Sequence, residues 1–195
     1  MKIKTGIYGG SFNPIHEGHV TLAKELADSG LVDEMWLLVS PQNPFKVDAN
    51  LLDDEERLQL ARLAVRDVPG IDVCDREFFL PRPSYMYNTL QALSKEHPER
   101  EFVLVIGADN WERFHDWYRS KDILAAYHII IYPRPGYTLQ NVPSEVTVAD
   151  TPLLDISSTE IRRRITSDPD YAGEGLPPVV WDEIKEKGYY RTKRP

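Results

Sequence analysis

His16 and His19 stand on either side of Gly18 in a pattern that suits phosphate binding. Gly9 and Gly10 precede them at the end of an apolar run, and glycines let backbone N–H groups approach a ligand closely. A helix beginning near Gly18 would add free N–H groups and a dipole that attract anions. The loop is neither Gly-x-Gly-x-x-Gly nor Gly-Lys-Ser/Thr, so it matches neither the dinucleotide fingerprint nor the P-loop.

The same two histidines could instead bind zinc or lie on the surface without a ligand. A zinc site needs further histidine, cysteine or carboxylate ligands. The other histidines are scattered along the chain, and Cys74 lies far away in sequence. The sequence therefore disfavours a zinc site at His16 and His19.

A second cluster, near the carboxyl end, offers similar chemistry. Residues 156–162 read Ile-Ser-Ser-Thr-Glu-Ile-Arg, which puts three hydroxyls and free backbone N–H groups in the first turn of a predicted helix. Arg162 can donate two parallel hydrogen bonds to phosphate oxygens. The alternative is a plain capping box of Ser157 and Glu160 with a solvated arginine. The presence of both clusters in one chain favours phosphate binding.

The elements that would position these clusters alternate between strands and helices. Several strand-length runs are apolar without alternation, as parallel strands buried on both faces require. The predicted strands cover residues 3–8, 35–39, 71–73, 102–106, 127–132 and 146–149. This alternation predicts an α/β fold with a doubly wound, mostly parallel sheet. Ligands of such sheets bind beyond the carboxyl ends of the strands, which is where both clusters and several other unusual residues fall.

Helical patterns fill the segments between the predicted strands. Apolar residues share one helix face at Val20, Ala23 and Ala27, and again at Leu58, Ala61 and Val65. Asp53 and Glu56 form a predicted capping box, and Ser84 is a predicted cap of a third helix. The last helix should begin near Pro178 and end at Gly188. We expect one domain, 1–195, whose part from about residue 156 onward is a small helical C-terminal subdomain.

Composition excludes several classes of protein. The chain has 195 residues and a formal net charge of -8, whereas general nucleic-acid and anionic-membrane binders need a basic face. Cys74 is the only cysteine, so no internal disulfide can form and a reducing compartment is expected. We find no signal-peptide pattern and no apolar run near 20 residues. We therefore expect a cytoplasmic protein without nucleic-acid or membrane partners, and a homo-oligomer is possible.

The two clusters together resemble the signatures of the nucleotidyltransferase superfamily, His-x-Gly-His and Ile-Ser-Ser-Thr-x-Ile-Arg. The resemblance to bacterial nicotinate mononucleotide adenylyltransferases runs nearly end to end. Further similar segments are Pro83-Ser84-Tyr85, Thr89-Leu90, Ile106-Gly107-Ala108-Asp109, Trp117-Tyr118, Arg134-Pro135-Gly136 and the stretch from Leu176 to Tyr190. This family implies a Rossmann-like fold.

The resemblance also implies a role for each matching residue. The residues expected to act on the ATP phosphates in catalysis are His16, His19, Lys46 and Arg162. Those expected to bind the rest of ATP are Gly9, Gly10, Ser11, Phe12, Gly107, Asp109, Arg134, Ile156, Ser157 and Ser158. Those expected to bind the mononucleotide are Asn13, Ser84, Tyr85, Met86, Trp117 and Tyr118. Trp117 would stack on the pyridine ring, and backbone N–H groups near Met86 and Tyr118 would receive the nicotinate carboxylate.

Two positions depart from the family pattern. Phe45 stands where the family usually has a histidine before the lysine, and Met86 stands where it usually has threonine. The first departure removes one expected ATP contact. The second matters less if backbone groups hold the carboxylate.

The reaction implied by the resemblance is attack by the 5′-phosphate of nicotinate mononucleotide on the α-phosphorus of ATP, giving nicotinate adenine dinucleotide and pyrophosphate. A phosphate monoester is already largely a dianion at neutral pH, since its second pKa is near ~6. No general base is required, so positioning groups and donors should suffice. Mg²⁺ would enter with ATP, held by phosphate oxygens and water, and no metal site made of protein ligands alone is expected.

Two other functions are compatible with parts of the pattern. A phosphopantetheine adenylyltransferase would share the ATP residues but lack the Trp117 and Ser84-Tyr85 region, and such enzymes often carry threonine at the position of His16. A non-catalytic nucleotide-binding module would lose the phosphate residues. The joint presence of His16, His19, Lys46 and Arg162 speaks against the module.

Overall fold

The structure is a computed structural model that describes residues 1–41, 51–140, 142–153 and 155–191. Within these residues the chain forms a 6-stranded sheet in the order β3-β2-β1-β4-β5-β6, and every pair of neighbouring strands is parallel. The strands are β1 (Ile3–Gly10), β2 (Glu34–Val39), β3 (Ile71–Cys74), β4 (Arg100–Gly107), β5 (His128–Tyr132) and β6 (Thr147–Val148). The doubly wound α/β prediction is confirmed, and the sheet is parallel throughout.

Helices cover both faces of this sheet. They are α1 (Glu17–Asp28), α2 (Asp54–Val65), α3 (Met86–Glu96), α4 (Ala108–Glu112), α5 (Ser120–Ala126), α6 (Ser158–Ser167) and α7 (Pro178–Lys187), with short 3₁₀ turns at Arg76–Phe79 and Phe114–Asp116. None of the helices in the described ranges is long and apolar enough to cross a membrane.

The sheet separates two apolar cores because successive side chains of a strand point to opposite faces. In β1, Tyr8 faces the core formed with α1, α2, α6 and α7, whereas Ile7 faces the core formed with α3, α4 and α5. The same alternation divides Val105 from Leu104 in β4. Burial on both faces explains why these strands read as continuous apolar runs.

The central position of β1 creates the crevice expected of this topology. β1 pairs with β2 on one side and with β4 on the other. After β1 the chain therefore adds strands first on one side of β1, as β2 and β3, and then on the other, as β4, β5 and β6. The loops after β1 and β4 therefore diverge and leave an opening at the carboxyl edge. Residues 9–19 and 107–118 line up at this opening.

Some predicted boundaries differ from those observed. The last strand is shorter than predicted and contains only Thr147–Val148. Asp53 caps α2 as expected, and its carboxylate accepts from the N–H of Glu55. The side chain of Glu56 does not complete the predicted capping box but is hydrogen-bonded to the hydroxyl of Tyr189. Tyr85, rather than Ser84, is the N-cap of α3. The Ser84 prediction was wrong because the side chain of Ser84 is buried and makes no capping bond.

The carboxyl-terminal helices pack on the same core as α1 and α2. Ile161 and Ile165 of α6 and Val180 and Ile184 of α7 are buried there. As predicted, α7 begins at Pro178, and it ends where Gly188 adopts a left-handed conformation with φ 70°. The division of the chain into one domain with a C-terminal subdomain stays a prediction.

Candidate active site

Two adjoining cavities open at the carboxyl edge of the sheet, and the side chains of Tyr8 and Tyr132 line both of them. The two phenol oxygens lie 3.4 Å apart, and Tyr132 donates to Tyr8. Burial is the main reason why the pKa of each phenol is raised, so both hydroxyls stay protonated near neutral pH. The tyrosine pair is the wall shared by the two cavities.

The smaller cavity contains the histidine pair. Its walls include four residues predicted to bind ATP, which are His16, His19, Arg134 and Ile156. Gly18 also lines it, and a side chain there would meet the ring of His16 at 3.1 Å. Glycine at this position therefore lets the backbone of α1 approach the histidine and the cavity closely.

The first turn of α1 orients the two imidazoles. His16 is the N-cap residue, and His19 lies within the first turn, so their rings stack with centroids 3.6 Å apart. The backbone N–H of His16 donates to Nδ1 of His19 over 3.2 Å. A neutral imidazole that accepts at Nδ1 carries its proton on Nε2. The Nε2 atom of His19 is therefore a hydrogen-bond donor.

Burial keeps both imidazoles uncharged. It lowers the pKa of His16 to about 3, and the positive charge of Arg134 acts in the same direction. The pKa of His19 is also lowered well below its usual value, first by burial and then by His16 and Arg134. At neutral pH the pair thus offers hydrogen bonds without adding positive charge.

The second predicted phosphate cluster, residues 156–162, is bonded to residues 11–16, which join β1 to α1 and which we call the histidine loop. The hydroxyl of Ser158 donates to the carbonyl of Pro14 over 3.0 Å. Nη1 of Arg162 donates to the carbonyl of Asn13 over 2.7 Å. Ser157 is the N-cap of α6 but makes no capping bond with its side chain. The structure thus brings the two clusters together through bonds between residues 144 and 149 positions apart in sequence.

The larger cavity is a cleft of about 530 Å³, which lies within the range of ligand-binding pockets. Among its walls are predicted ATP residues and predicted mononucleotide residues: Gly9, Gly10, Ser11, Ser84, Tyr85, Met86, Gly107, Trp117 and Tyr118. Trp117 packs against Phe114 with ring centroids 5.5 Å apart. Tyr118 packs against Tyr85 at 4.8 Å. Aromatic side chains from two separate loops therefore form one end of the cleft.

The first turn of α3 also faces this cleft. Met86 is the first residue of the helix, so its backbone N–H has no partner within the helix. The side chain of Met86 lies over Gly9, where an added Cβ would be 3.0 Å from its methyl group. The hydroxyl oxygen of Ser84 is buried and has no hydrogen-bond partner among the described residues. These groups are suited to meet a polar ligand in the cleft.

Sequence reasoning missed several residues that line the cleft. They are Tyr8, Ser40, Glu77, Asn110, Asp116 and Tyr132. The side chain of Glu77 is only 2% exposed and accepts from the hydroxyls of Ser40, at 2.7 Å, and Thr89, at 2.9 Å. Burial raises the pKa of its carboxyl group, and the two hydroxyls oppose that shift. Ser40 follows β2 at the carboxyl edge, so the positional rule could have identified it.

Other predicted residues lie behind the cavity walls. Phe12 is buried, and its ring contacts His19 edge-on at 5.0 Å. The side chain of Asn13, predicted to bind the mononucleotide, is 2% exposed and accepts from Tyr190 at 2.8 Å, so it faces away from the cleft. Asp109 forms an ion pair with Arg134 over 3.5 Å. Lys46 and Phe45 lie outside the described residues.

Fold and site together define a nucleotide-binding protein of the cytidylyltransferase-like family, whose model matches residues 7–164. A Bacteroides fragilis protein named as a probable nicotinate-nucleotide adenylyltransferase is 50% identical over 185 residues, which are 94% of this chain and 92% of the relative. A Bacteroides thetaiotaomicron protein of the same name is 46% identical over 187 residues, or 95% and 92%. The chain belongs to the nicotinate-nucleotide adenylyltransferase family.

A solved structure shares the same fold at lower identity. Nicotinic acid mononucleotide adenylyltransferase of Plasmodium falciparum, complexed with NaAD, superposes with a TM-score of 0.80. The superposition covers 96% of this chain and 97% of that chain at 20% sequence identity. The Rossmann-like α/β architecture is therefore common to both proteins.

Proposed function

We propose that the protein transfers the adenylyl group of ATP to nicotinate mononucleotide, producing nicotinate adenine dinucleotide and pyrophosphate. The observation that carries this proposal is the pair of adjoining cavities with a shared tyrosine wall. One cavity contains the stacked imidazoles at the start of α1, and the other contains Trp117 and the start of α3. ATP phosphates that reach into the first cavity and a mononucleotide bound in the second would meet at Tyr8 and Tyr132.

The smaller cavity, of about 20 Å³, has room for only part of the ATP phosphate chain, and the rest of ATP would extend into the adjoining cleft lined by Gly9, Gly10 and Ser11. The Nε2 proton of His19 offers a donor to phosphate oxygens, and the dipole of α1 favours an anion at the same end. The backbone N–H groups of Glu17 and His19 are already bonded to the carbonyls of Gly175 and His16. α6 places Ser158 and Arg162 beside the same loop. Gly9, Gly10, Ser11 and Phe12 would add backbone N–H groups, and Gly107 and Asp109 would bind the ribose region. Lys46, expected from the family pattern to contact the phosphates, keeps that proposed role.

The reaction forms a bond between a 5′-phosphate oxygen of the mononucleotide and the α-phosphorus of ATP. The bond from the α-phosphorus to the bridging oxygen breaks, and its electron pair leaves with pyrophosphate. No proton has to be removed from the nucleophile, so the neutral imidazoles need only donate hydrogen bonds. Donors fixed in advance toward developing charge lower the barrier without reorganising during the reaction.

Mg²⁺ is expected to enter with ATP as part of the substrate. Among the described residues no three histidine, cysteine, aspartate or glutamate side chains are grouped so that they could hold a metal ion. The buried imidazoles are neutral, so they do not offset the negative charge of the triphosphate. A cation coordinated by phosphate oxygens and water would supply that charge, together with Arg134 and Arg162.

The larger cleft suits a pyridine ring that bears a carboxylate. The indole of Trp117 offers a flat apolar surface for stacking. The described walls of the cleft contain no lysine or arginine, while Glu77 and Asp116 are acidic. A carboxylate bound there would therefore depend on backbone N–H groups, such as that of Met86, and on hydroxyls such as that of Ser84.

The proposal is tested by incubating the protein with ATP, Mg²⁺ and one acceptor at a time. The acceptors are nicotinate mononucleotide, nicotinamide mononucleotide and phosphopantetheine. We expect pyrophosphate release and dinucleotide formation to be fastest with nicotinate mononucleotide. Faster reaction with phosphopantetheine would identify a different transferase, and no pyrophosphate with any acceptor would indicate a non-catalytic module. The expected cytoplasmic location and the possible homo-oligomer stay predictions.

A further inference from the structure

A buried arginine lies directly behind the site and is not used by the reaction described above. Arg57, on the first turns of α2, is 0% exposed. Its Nε donates to the carbonyl of Leu52 over 2.9 Å, and Nη1 donates to the carbonyls of Ser11 and of Ser40, the latter over 2.9 Å. Nη2 donates to the carbonyl of Pro41 over 3.3 Å. One guanidinium thus holds backbone carbonyls from the loops that follow β1 and β2.

These carbonyls belong to residues that shape the site. Ser11 and Ser40 both line the larger cleft. The N–H of a peptide unit points opposite to its C=O because the unit is planar and trans. When Arg57 holds the carbonyl of Ser11, it therefore also fixes the direction of the N–H of Phe12 in the histidine loop. The hydroxyl of Ser40 is simultaneously held by Glu77 in the floor of the cleft.

Asp54 connects this arginine to the mononucleotide side of the site. One carboxylate oxygen of Asp54 accepts from Nη2 of Arg57 over 2.6 Å. The other accepts from Nη2 of Arg82 over 2.7 Å. Arg82 lies two positions before Ser84, whose hydroxyl is buried at the cleft without a partner among the described residues. The carboxylate of Asp54 thus joins Arg57, behind the histidine loop, to the loop that leads into α3.

The guanidinium is chemically suited to this arrangement. Burial lowers the pKa of Arg57 and the carboxylate of Asp54 opposes that shift, but a guanidinium remains charged in proteins. Arginine has five N–H donors in a fixed planar fork, whereas lysine has a single ammonium on a flexible stem. A lysine at position 57 could keep the charge, but it could not hold Leu52, Ser11, Ser40 and Asp54 in the same geometry.

We propose that Arg57 is a positioning residue for adenylyl transfer. It holds the histidine loop and, through Asp54 and Arg82, the loop that leads into α3 at the separation the reaction needs. This inference rests on the proposed function. Misplacement of reacting groups by about 1 Å can reduce turnover by about 10²-fold. Loss of the arginine fork should therefore affect kcat more than the binding of either substrate alone.

The first test compares Arg57→Lys with Arg62→Lys. Arg62 lies on the same helix, is 57% exposed and pairs with Asp75 on the surface, so it is a matched control. We expect Arg57→Lys to lower kcat by about 10- to 100-fold with smaller changes in KM for ATP, and Arg62→Lys to behave as the wild type. A folded Arg57→Lys protein with kcat within twofold of the wild type would overturn the proposal.

The second test uses Arg82→Gln, which removes an arginine side chain that is 52% exposed and so does not depend on a buried substitution. We expect KM for nicotinate mononucleotide to rise several-fold while KM for ATP stays unchanged. This result would support the connection even if Arg57→Lys failed to fold, and an unchanged KM for the mononucleotide would refute it.

Calorimetric titration with MgATP separates this inference from the proposed function. If the wild type binds MgATP but releases no pyrophosphate with any mononucleotide, the proposed function fails. If the wild type is active and Arg57→Lys loses kcat while it binds MgATP about as tightly as the wild type, both the proposed function and the inference stand. If the wild type is active and Arg57→Lys and Arg62→Lys both match it in kcat and in ATP affinity, the proposed function stands and the inference fails.

Discussion

Arg162 donates to the backbone carbonyl of Asn13, a residue 149 positions earlier in the chain. This bond attaches the start of α6 to the loop that carries His16 and His19. Ser158 makes a parallel attachment to Pro14. α6 therefore holds the loop of the proposed phosphate site and also packs on the core.

Replacing Arg162 should damage both loop geometry and phosphate binding. We expect Arg162→Ala to lower kcat/KM for ATP by about 10²- to 10³-fold, since it removes a charged donor next to the triphosphate. The control is Arg163→Ala, because Arg163 is exposed and its guanidinium pairs with Glu160 on the surface. Steady-state rates with both substrates check the prediction, and equal effects of the two substitutions would contradict it.

His19→Ala should act mainly on turnover. The Nε2 donor of His19 is oriented by the N–H of His16, and the cost of losing one such donor is about 10²- to 10³-fold in kcat. His128→Ala is a suitable control, because His128 is exposed at the amino end of β5 and bonds to Thr147 on the neighbouring strand β6. An unchanged kcat in His19→Ala would exclude a transition-state role for the imidazole.

The buried histidines should make stability fall in mild acid. The unfolded chain protonates His16 near its ordinary pKa of 6.5, whereas the folded protein holds that pKa at about 3. The contribution of His16 is thus fully present above about pH 6.5 and is lost progressively as the pH falls toward 3. Between pH 7 and pH 5 the loss is about 2 kcal/mol.

Urea unfolding of the wild type and of His16→Gln at several pH values measures this contribution. The variant should show a shallower decline in the free energy of unfolding between pH 7 and pH 5. His128→Gln, at an exposed histidine, should keep the slope of the wild type. Identical slopes in all three proteins would show that His16 is not buried in the neutral form.

Trp117→Ala should weaken binding of the mononucleotide selectively. Stacking of a base on an aromatic side chain contributes about 1–3 kcal/mol, so KM for nicotinate mononucleotide should rise by about tenfold or more. KM for ATP should stay within about twofold. Trp181→Phe is the control, because Trp181 packs against Tyr171 and does not line the cleft. A parallel rise in both KM values would argue that Trp117 only supports the fold.

Met86→Thr tests whether backbone groups bind the nicotinate carboxylate. Met86 departs from the usual threonine of the family, and its backbone N–H lies at the start of α3. If the N–H is the recognition group, the ratio of kcat/KM for the nicotinate and nicotinamide mononucleotides should change by less than about threefold, since the backbone donor is retained. A much larger gain for nicotinate would show that the side chain at this position selects the substrate.

The sequence was most informative where residue type and spacing are both unusual. His16, His19 and the segment 156–162 could be assigned to one site because their chemistry falls at the starts of helices that follow strands. Tyr8 and Tyr132 could not be assigned, since aromatic residues at the ends of apolar strands read as core. The sequence also does not show that the side chain of Asn13 is held by Tyr190, because that contact joins residues 177 positions apart.

Arg57 illustrates the same limit in another way. A charged residue on an amphipathic helix is read as solvent-facing by default, since charged side chains are rarely fully buried. Here the helix begins beside loops whose carbonyls point inward, and only the assembled fold reveals that they need a donor. Glu77 was missed for a similar reason, because its hydroxyl partners come from the segment after β2 and from α3.

The two phenols that separate the cavities have a consequence for the end of the catalytic cycle. The phosphate chain of ATP would reach past Tyr8 and Tyr132 into the smaller cavity and leave as pyrophosphate, whereas the dinucleotide would keep the contacts of both nucleosides in the larger cleft. A tethered molecule gains the contacts of two binding events but loses its overall translational freedom only once. The dinucleotide should accordingly be the tightest ligand of the three nucleotides, and its departure, rather than bond formation, should limit the overall rate.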